Sequence, residues 1–175
     1  MPPSPDVTLV AATAADAAVV ANLLELYVHD LSEIFPVEIG PDGRFGYAHL
    51  PLYWSEPTTR FAFLIRASGR LAGFVFATRG SPASGDPDHL DVAEFFVLRS
   101  YRRCGVGRLA AFALWDRLPG EWSVRVSEAH PAGLSFWKPV IEEYTHGVLS
   151  TRIHHGRQHI FQVFQFRSRN SDVAG

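Results

Sequence analysis

Two glycines one residue apart, Gly105 and Gly107, separate an apolar run that ends at Leu98 from another that begins at Val106. Around them stand Arg99, Arg102, Arg103 and Arg108. The run over residues 91–98 reads as a strand. The run over 106–118, apolar nearly all round and stopped by Pro119-Gly120, reads as a buried helix. Glycine lets backbone come close to a ligand, and a helix start presents unpartnered N–H groups at the positive end of its dipole. A strand, a short basic loop, two glycines and a helix therefore build an anion site suited to a pyrophosphate. A basic turn with glycines needed only for tight packing reads the same, so the flanking elements have to decide.

Upstream, residues 7–10 form a short apolar strand. Thr13, three residues before Asp16, starts a helix with a capping box, and Val20, Leu23, Leu24, Tyr27, Leu31 and Ile34 recur at helical spacing. Residues 35–57 are broken by Pro36, Gly40, Pro41, Gly43, Pro51 and Pro57 and carry several aromatic side chains, a long loop that is either functional or packed down on the core. Residues 61–66 and 71–78, joined by Ala-Ser-Gly-Arg, read as an antiparallel hairpin. Behind the glycine helix, Trp122, Val124 and Val126 alternate with Ser123, Arg125 and Ser127 as a strand. Residues 132–144 read as a shorter helix that Pro139 should disturb. Residues 148–154 and 159–167 close the chain as two strands around a turn at Gly156. Only the middle strand–helix–strand unit demands a parallel pairing. The expectation is an α/β (α+β) fold, with a mixed, mostly antiparallel central sheet of about six to seven strands flanked by helices on both faces. A single domain is expected over residues 7–167, with disordered ends at 1–6 and 168–175.

Composition narrows the function. Nearly half the residues are apolar (47%), which suits ordered packing. The net charge of -2 is scattered, with no Lys/Arg block of the kind nucleic acid requires. No apolar run approaches the roughly 20 residues of a membrane span, and the N-terminus lacks the parts of a signal peptide. A single cysteine, Cys104, provides no internal disulfide and suits a reducing compartment, so a cytoplasmic protein is expected. The local arginine cluster points to a small anionic ligand.

Arg102-Arg103-Cys104-Gly105-Val106-Gly107 fits the pattern Arg/Gln-x-x-Gly-x-Gly/Ala at every fixed position. Here the chain resembles the Gcn5-related N-acetyltransferase superfamily. The resemblance implies the acetyltransferase fold, acetyl-coenzyme A (coenzyme A) as the cofactor, and direct transfer of the acetyl group to a primary amine. It implies that the loop amides hold the pyrophosphate and that the preceding strand pairs its backbone with the pantetheine arm. Coenzyme-binding roles thereby come to Phe95, Phe96 and Val97, and to Arg102, Arg103, Cys104, Gly105, Val106, Gly107 and Arg108. In the second resembling segment, residues 128–138, the family often has Asn, then Ala, then an aromatic–Tyr pair; His130, Gly133, Phe136 and Trp137 occupy those places. His130, Phe136 and Trp137 are accordingly expected near the coenzyme. Trp stands where the family's Tyr often protonates the departing thiolate, and a coenzyme-binding module without transferase activity fits that departure.

Acetyl transfer to an amine needs a neutral nucleophile, a polarised thioester carbonyl and a proton for the sulfur. The resemblance puts the polarising backbone N–H near Phe96 or Val97. Glu94 is the charged residue inside the apolar stretch 92–98, where a raised pKa suits a base; pairing to an arginine is the other reading. An indole N–H is not acidic enough to replace the missing Tyr; Tyr144, further along the same helix, is either the acid or a buried core residue, and solvent is the other source of the proton. His130 either donates a proton or caps its helix. Cys104 sits at a variable loop position, against a covalent route. His154, His155 and His159 straddle the Gly156 turn without a cysteine or carboxylate partner, so no metal is expected. The first helix and the aromatic loop wall the acceptor pocket, where Tyr27, Asp30, Glu33, Tyr47, Tyr53 and Trp54 suit a cationic, partly apolar amine, small molecule or peptide. A monomer and a homodimer both fit, the last two strands offering an edge.

Gly105-x-Gly107-x-x-Ala110 also satisfies the dinucleotide fingerprint, with Glu128 about 20 residues on. Against it, residues 99–104 intervene between strand and glycines, and too little chain follows Glu128 for further strand–helix units.

Overall fold

The computed structural model describes residues 5–169; the loose ends expected at 1–4 and 170–175 lie outside the described residues. Seven strands, β1 (Val7–Ala11), β2 (Arg60–Ala67), β3 (Arg70–Arg79), β4 (Leu90–Val97), β5 (Glu121–Ser127), β6 (Ser150–His155) and β7 (Ile160–Arg167), form one sheet ordered β1-β2-β3-β4-β5-β7-β6. β4 and β5 pair in parallel, and the other neighbours run antiparallel. Four helices cover the sheet: α1 (Ala17–Leu31), α2 (Leu52–Ser55), α3 (Val106–Arg117) and α4 (Pro131–Thr145). With one parallel pair at its centre, the sheet is not a doubly wound dinucleotide fold.

The period-2 alternation of the strands sorts side chains onto two faces. Phe74, Phe76 and Phe96 go to one face and meet Val20, Leu23 and Leu24 of α1 and Tyr53 of α2. Val75, Trp122, Val124 and Phe164 go to the other, under Leu114 and Trp115 of α3 and Ile141 and Tyr144 of α4. Local chemistry starts the elements as expected. The Asp16 carboxylate accepts from Thr13 N (2.9 Å) and Thr13 Oγ1 accepts from Ala15 N (3.3 Å), closing the capping box ahead of α1. Ser68 and Gly69, with φ of 49° and 76°, make the two-residue left-handed turn that a tight β2–β3 hairpin needs.

Three expectations need correcting. The segment 35–57 is not all loop: it carries α2, and it is tied down where the Glu25 carboxylate accepts from Phe45 N (2.7 Å) and Gly46 N (2.9 Å). α4 is longer than α3 and runs through Pro139, because Trp137, Val140, Ile141 and Tyr144 are buried on both sides of the proline and hold the axis against the lost hydrogen bond. Ser168 and Arg169 do not begin a loose tail. Ser168 exchanges hydrogen bonds with Gly120 (N–H to O 2.9 Å, Gly120 N to Oγ 2.8 Å), and the Arg169 guanidinium lies 4.1 Å from the Tyr144 ring centre. Among the described residues, no helix is long and apolar enough to cross a membrane.

Gly73 pairs with Val97 where β4 leaves the sheet centre, and a Cβ there would lie 2.0 Å from the Phe96 carbonyl oxygen. Gly73→Ala is expected to destabilise the fold by about 3 kcal/mol, the upper range for overpacking, since backbone has to move. Urea unfolding checks this, and an unchanged midpoint contradicts the close approach.

Candidate active site

The site begins with a misfit between two strands. In the β3–β4 ladder Phe76 faces Glu94 but Ala77 faces Val92, so Ala93 is an extra residue in β4. Such a bulge bends its strand and breaks the pairing around it. β4 pairs with β5 only at Leu90–Trp122 and Asp91–Ser123, although both strands continue well beyond. Past Asp91 the two diverge and leave facing backbone edges without a strand partner. Leu98 N donates to Ala72 O (2.8 Å) on the β3 side. By alternation the backbone groups of Phe95 and Val97 point into the cleft, and those of Phe96 point to β3.

At the mouth of this cleft lies the glycine loop. Arg103 (φ 62°) and Gly105 (φ 86°) both adopt left-handed backbone, which curls the chain into a concave turn at the start of α3. Leu109 N to Gly105 O (3.0 Å) is the first helical hydrogen bond. Among the described residues, the N–H groups of 103–108 find no acceptor, and no side chain caps the helix. A Cβ on Gly105 would meet nothing within 4 Å, so this glycine serves backbone conformation beside open space. A Cβ on Gly107 would come within 3.1 Å of the Phe136 ring, so that glycine lets α4 pack against the first turn of α3. A row of orphan amides at a helix N-terminus beside an open concavity fits a pyrophosphate.

The arginines divide their work. Arg103 and Cys104 are exposed, the Cys104 thiol donating to Tyr101 O (3.0 Å). Arg108 pairs with Glu143 of α4 (2.8 Å). Arg102 donates through Nε to Val97 O (2.7 Å) and through Nη2 to Asp30 (2.6 Å), and Arg99 holds the other Asp30 oxygen (2.6 Å). Burial pushes the Asp30 carboxyl up, but the two guanidiniums outweigh it and hold the pKa below the usual carboxylate range. Asp30 therefore docks α1 onto the loop, its charge met by the two guanidiniums.

Glu94 stands at the bulge on the α1 face. Tyr27 Oη donates to its Oε2 (2.5 Å) and Tyr47 Oη to its Oε1 (2.9 Å). The aromatic surround is close: the Tyr27 ring lies 5.7 Å from Phe74 and 5.8 Å from Phe96, and Tyr47 5.9 Å from Phe76. Burial raises the Glu94 carboxyl above its ordinary pKa; the two hydroxyls and the nearby Arg125 guanidinium only partly offset it. Burial and the Glu94 charge push all three neighbouring tyrosines up, Tyr53 to about 12, and Tyr27 and Tyr47 well above the ordinary tyrosine value, so they remain neutral. A half-buried carboxylate with a raised pKa, held by neutral donors in a cleft, is equipped to take a proton.

Other expected site residues lie elsewhere. Tyr144 is buried on the opposite face, because α4 packs there; its Oη donates to Asp116 (2.7 Å) and accepts from Arg169 N (3.2 Å), so it is a core residue remote from Glu94. Trp137 is also core, 4.9 Å from the Phe95 ring and 6.2 Å from Trp115. Phe136 contacts Phe95 (5.9 Å) beside the loop, and Val106 is buried under it. His130 precedes α4 without a side-chain cap bond, its pKa lowered by burial. Of the acceptor wall, Tyr53 stacks on Phe76 (3.9 Å) within the core, Trp54 packs half-buried beside it, and Glu33 is exposed beyond the end of α1.

The sequence reading missed one feature, a buried pair that ties β4 to β5 at the last residues before they part. Asp91, fully buried, receives Arg125 Nη2 (2.9 Å) and Nε (3.0 Å), and Ser81 Oγ (2.7 Å). Its only trace in sequence is an arginine on the polar side of an alternating strand and an aspartate at the head of an apolar one.

Known proteins share this architecture. An acetyltransferase from Thermus thermophilus superposes with a TM-score of 0.64 at 15% identity, over 92% of this chain and 96% of that one. The spermidine N-acetyltransferase of Vibrio cholerae, solved with coenzyme A and spermine, gives 0.62 at 14% identity over 93% and 95%. An aminoglycoside acetyltransferase solved with coenzyme A gives 0.67 at 12% identity over 93% and 95%. A search of curated protein sequences finds no match. The model of the acetyltransferase (GNAT) family matches residues 21–138, a span that runs from α1 through the bulge, Glu94 and the glycine loop into α4. The chain belongs to the GNAT acetyltransferase family.

Proposed function

We propose that the protein is an acetyl-coenzyme A-dependent N-acetyltransferase acting on a primary amine by direct attack, with Glu94 as the base. The observation that carries the reading is one cleft that has orphan loop amides at its mouth and a proton-accepting carboxylate at its bulge. The N–H groups of 103–108 hold the pyrophosphate, the exposed Arg103 adds charge, and the β4 edge at Phe95 and the Val97 N–H takes the pantetheine arm, the Val97 carbonyl being held by Arg102. Phe136 lines the loop side. The cofactor supplies an acetyl thioester. The Val97 N–H is aimed into the cleft, where it polarises a carbonyl. Glu94 takes a proton from the ammonium so that the nitrogen lone pair is free. An N–C bond forms and the C–S bond breaks; of the two protons the ammonium loses, one passes through Glu94 to solvent and one ends on the departing sulfur. The α1 face at Glu94 is where the amine enters, and the Tyr27 and Tyr47 rings are its nearest walls.

Thermal unfolding with acetyl-coenzyme A, coenzyme A, NAD or NADP tests the reading. A native-state ligand at about 100 times its dissociation constant adds roughly 2.7 kcal/mol. Both coenzyme A forms are expected to stabilise the protein and neither dinucleotide. Acetyl-coenzyme A with a panel of amines should then release free thiol. Stabilisation without thiol release for any amine leaves a coenzyme-binding module and removes the transferase assignment.

A further inference from the structure

No step of the transfer touches Asp91 or Arg125, yet the pair stands at the fork of the cleft. β4 and β5 are in register at Asp91–Ser123 and part beyond it, and Arg125 is the second residue of β5 past that point. Its side chain, 25% exposed, turns back across the fork and grips the Asp91 carboxylate through Nε (3.0 Å) and Nη2 (2.9 Å). Asp91 is fully buried and takes a further hydrogen bond from Ser81 Oγ (2.7 Å). A buried carboxylate needs such partners, and two bonds to one planar guanidinium fix its orientation. Ser123 and His89, both buried, close the root of the fork (Oγ to Nε2 2.8 Å).

Register puts the pair on the same sheet face as Glu94. Asp91 lies opposite Thr78 and Glu94 opposite Phe76, two residues apart on β3, so both carboxylates stand on the α1 face. The extra residue at Ala93 makes this possible, since an odd step along a regular strand would turn Glu94 away. Ser123 pairs with Asp91, and Arg125, two residues further along β5, shares its face. Glu94 is faced by Tyr27 of α1, Tyr47 of the segment before α2, Tyr53 of α2, Arg125 of β5 and Asp91 of its own strand. Burial is the main reason the Glu94 pKa is raised; of the two charges, Arg125 lowers it more than Asp91 raises it, so the pair turns its positive end to Glu94.

We propose that Arg125 is a positioning residue for the reaction: clasped by Asp91 at the fork, it holds a fixed positive charge on the face of Glu94 and keeps the base in its charged form. The inference rests on the reading of Glu94 as the base. A freely moving arginine is hydrated and its field screened, whereas one held by a buried carboxylate needs no reorganisation as the base takes up and releases its proton. Because Asp91 balances the charge, the pair orients a field without drawing an anion into the cleft.

NMR of protein carrying carboxyl-labelled glutamate follows the titration of Glu94 directly, and the Glu94→Gln variant identifies its signal. Arg125→Gln is expected to move the Glu94 midpoint to higher pH by about one unit, the low end for a lost opposite charge. Asp91→Asn should move it the other way and by less, because the repulsion goes and the guanidinium stays. Arg125→Lys keeps the charge and should bring the midpoint most of the way back. The ascending limb of thiol release from acetyl-coenzyme A should move in step in each variant. A pair that only ties the strands would lower the unfolding temperature in all three and move no midpoint, which overturns the proposal. Should Arg125→Gln fail to fold, with Asp91 left buried beside no cation, the near-isosteric Asp91→Asn decides: a midpoint unchanged or moved to higher pH overturns it. Midpoints that shift as expected in a protein that releases thiol with no amine uphold the action of Arg125 on Glu94 and overturn the transferase reading alone.

Discussion

Gly105→Asp is expected to abolish coenzyme A binding, with affinity falling more than about 100-fold. Two effects act together. Gly105 sits at φ 86°, where an L side chain costs roughly 1–2 kcal/mol, and its Cβ would project into space with nothing within 4 Å. That open space lies over the orphan amides of 103–108, so the new carboxylate occupies the anion's place and repels it as well. The variant should still fold, because the added atoms meet no neighbour. Its unfolding midpoint should fall only by the strain, and coenzyme A should no longer raise it. Calorimetric titration with coenzyme A gives the direct reading. A folded Gly105→Asp protein with wild-type affinity would falsify the loop assignment and leave the free β4 edge as the main binding surface.

Glu94→Gln carries the second large effect, a fall in kcat of about 10² to 10⁴, the usual worth of a positioned base. Coenzyme A affinity should stay intact, since Glu94 stands at the bulge and its carboxylate is hydrogen-bonded to Tyr27 and Tyr47. The pH dependence gives the sharper check. A base works when ionised, and burial raises the Glu94 pKa. The wild-type rate therefore climbs with pH through a midpoint above that of an ordinary glutamate and levels off once the carboxylate is ionised. Glu94→Gln should lose that ascending limb. Tyr47→Phe removes a hydroxyl that favours the ionised form, so its limb should move to more alkaline pH with little change in the plateau. A wild-type pH–rate profile in the Gln variant removes Glu94 as the base.

The element order and the glycine loop were legible in the chain because both depend on short-range chemistry. Thr13 and Asp16 are three residues apart, Ser68-Gly69 is a two-residue turn, and Arg102 to Gly107 are contiguous. Glu94 was legible as a charge in an apolar strand. Its partners were only partly so: Tyr27 and Tyr47 lie 67 and 47 residues away, and nothing in their spacing says that both hydroxyls meet one carboxylate. Asp30 and Tyr144 misled for the same reason. One is consumed by arginines roughly 70 positions away, and the other is carried to the opposite face by α4.

By itself the sequence determined the seven strands and three of the four helices, where the glycine loop falls, and that Glu94 sits inside the apolar stretch 92–98. These follow from periodicity, capping and the backbone freedom of glycine, all set within a few residues. Tertiary structure alone decided the extra residue at Ala93, the parting of β4 from β5 after Asp91, the Asp91–Arg125 pair and the meeting of Tyr27 and Tyr47 on Glu94. Each depends on segments far apart in the chain, and a one-residue change of strand register turns every side chain to the other face.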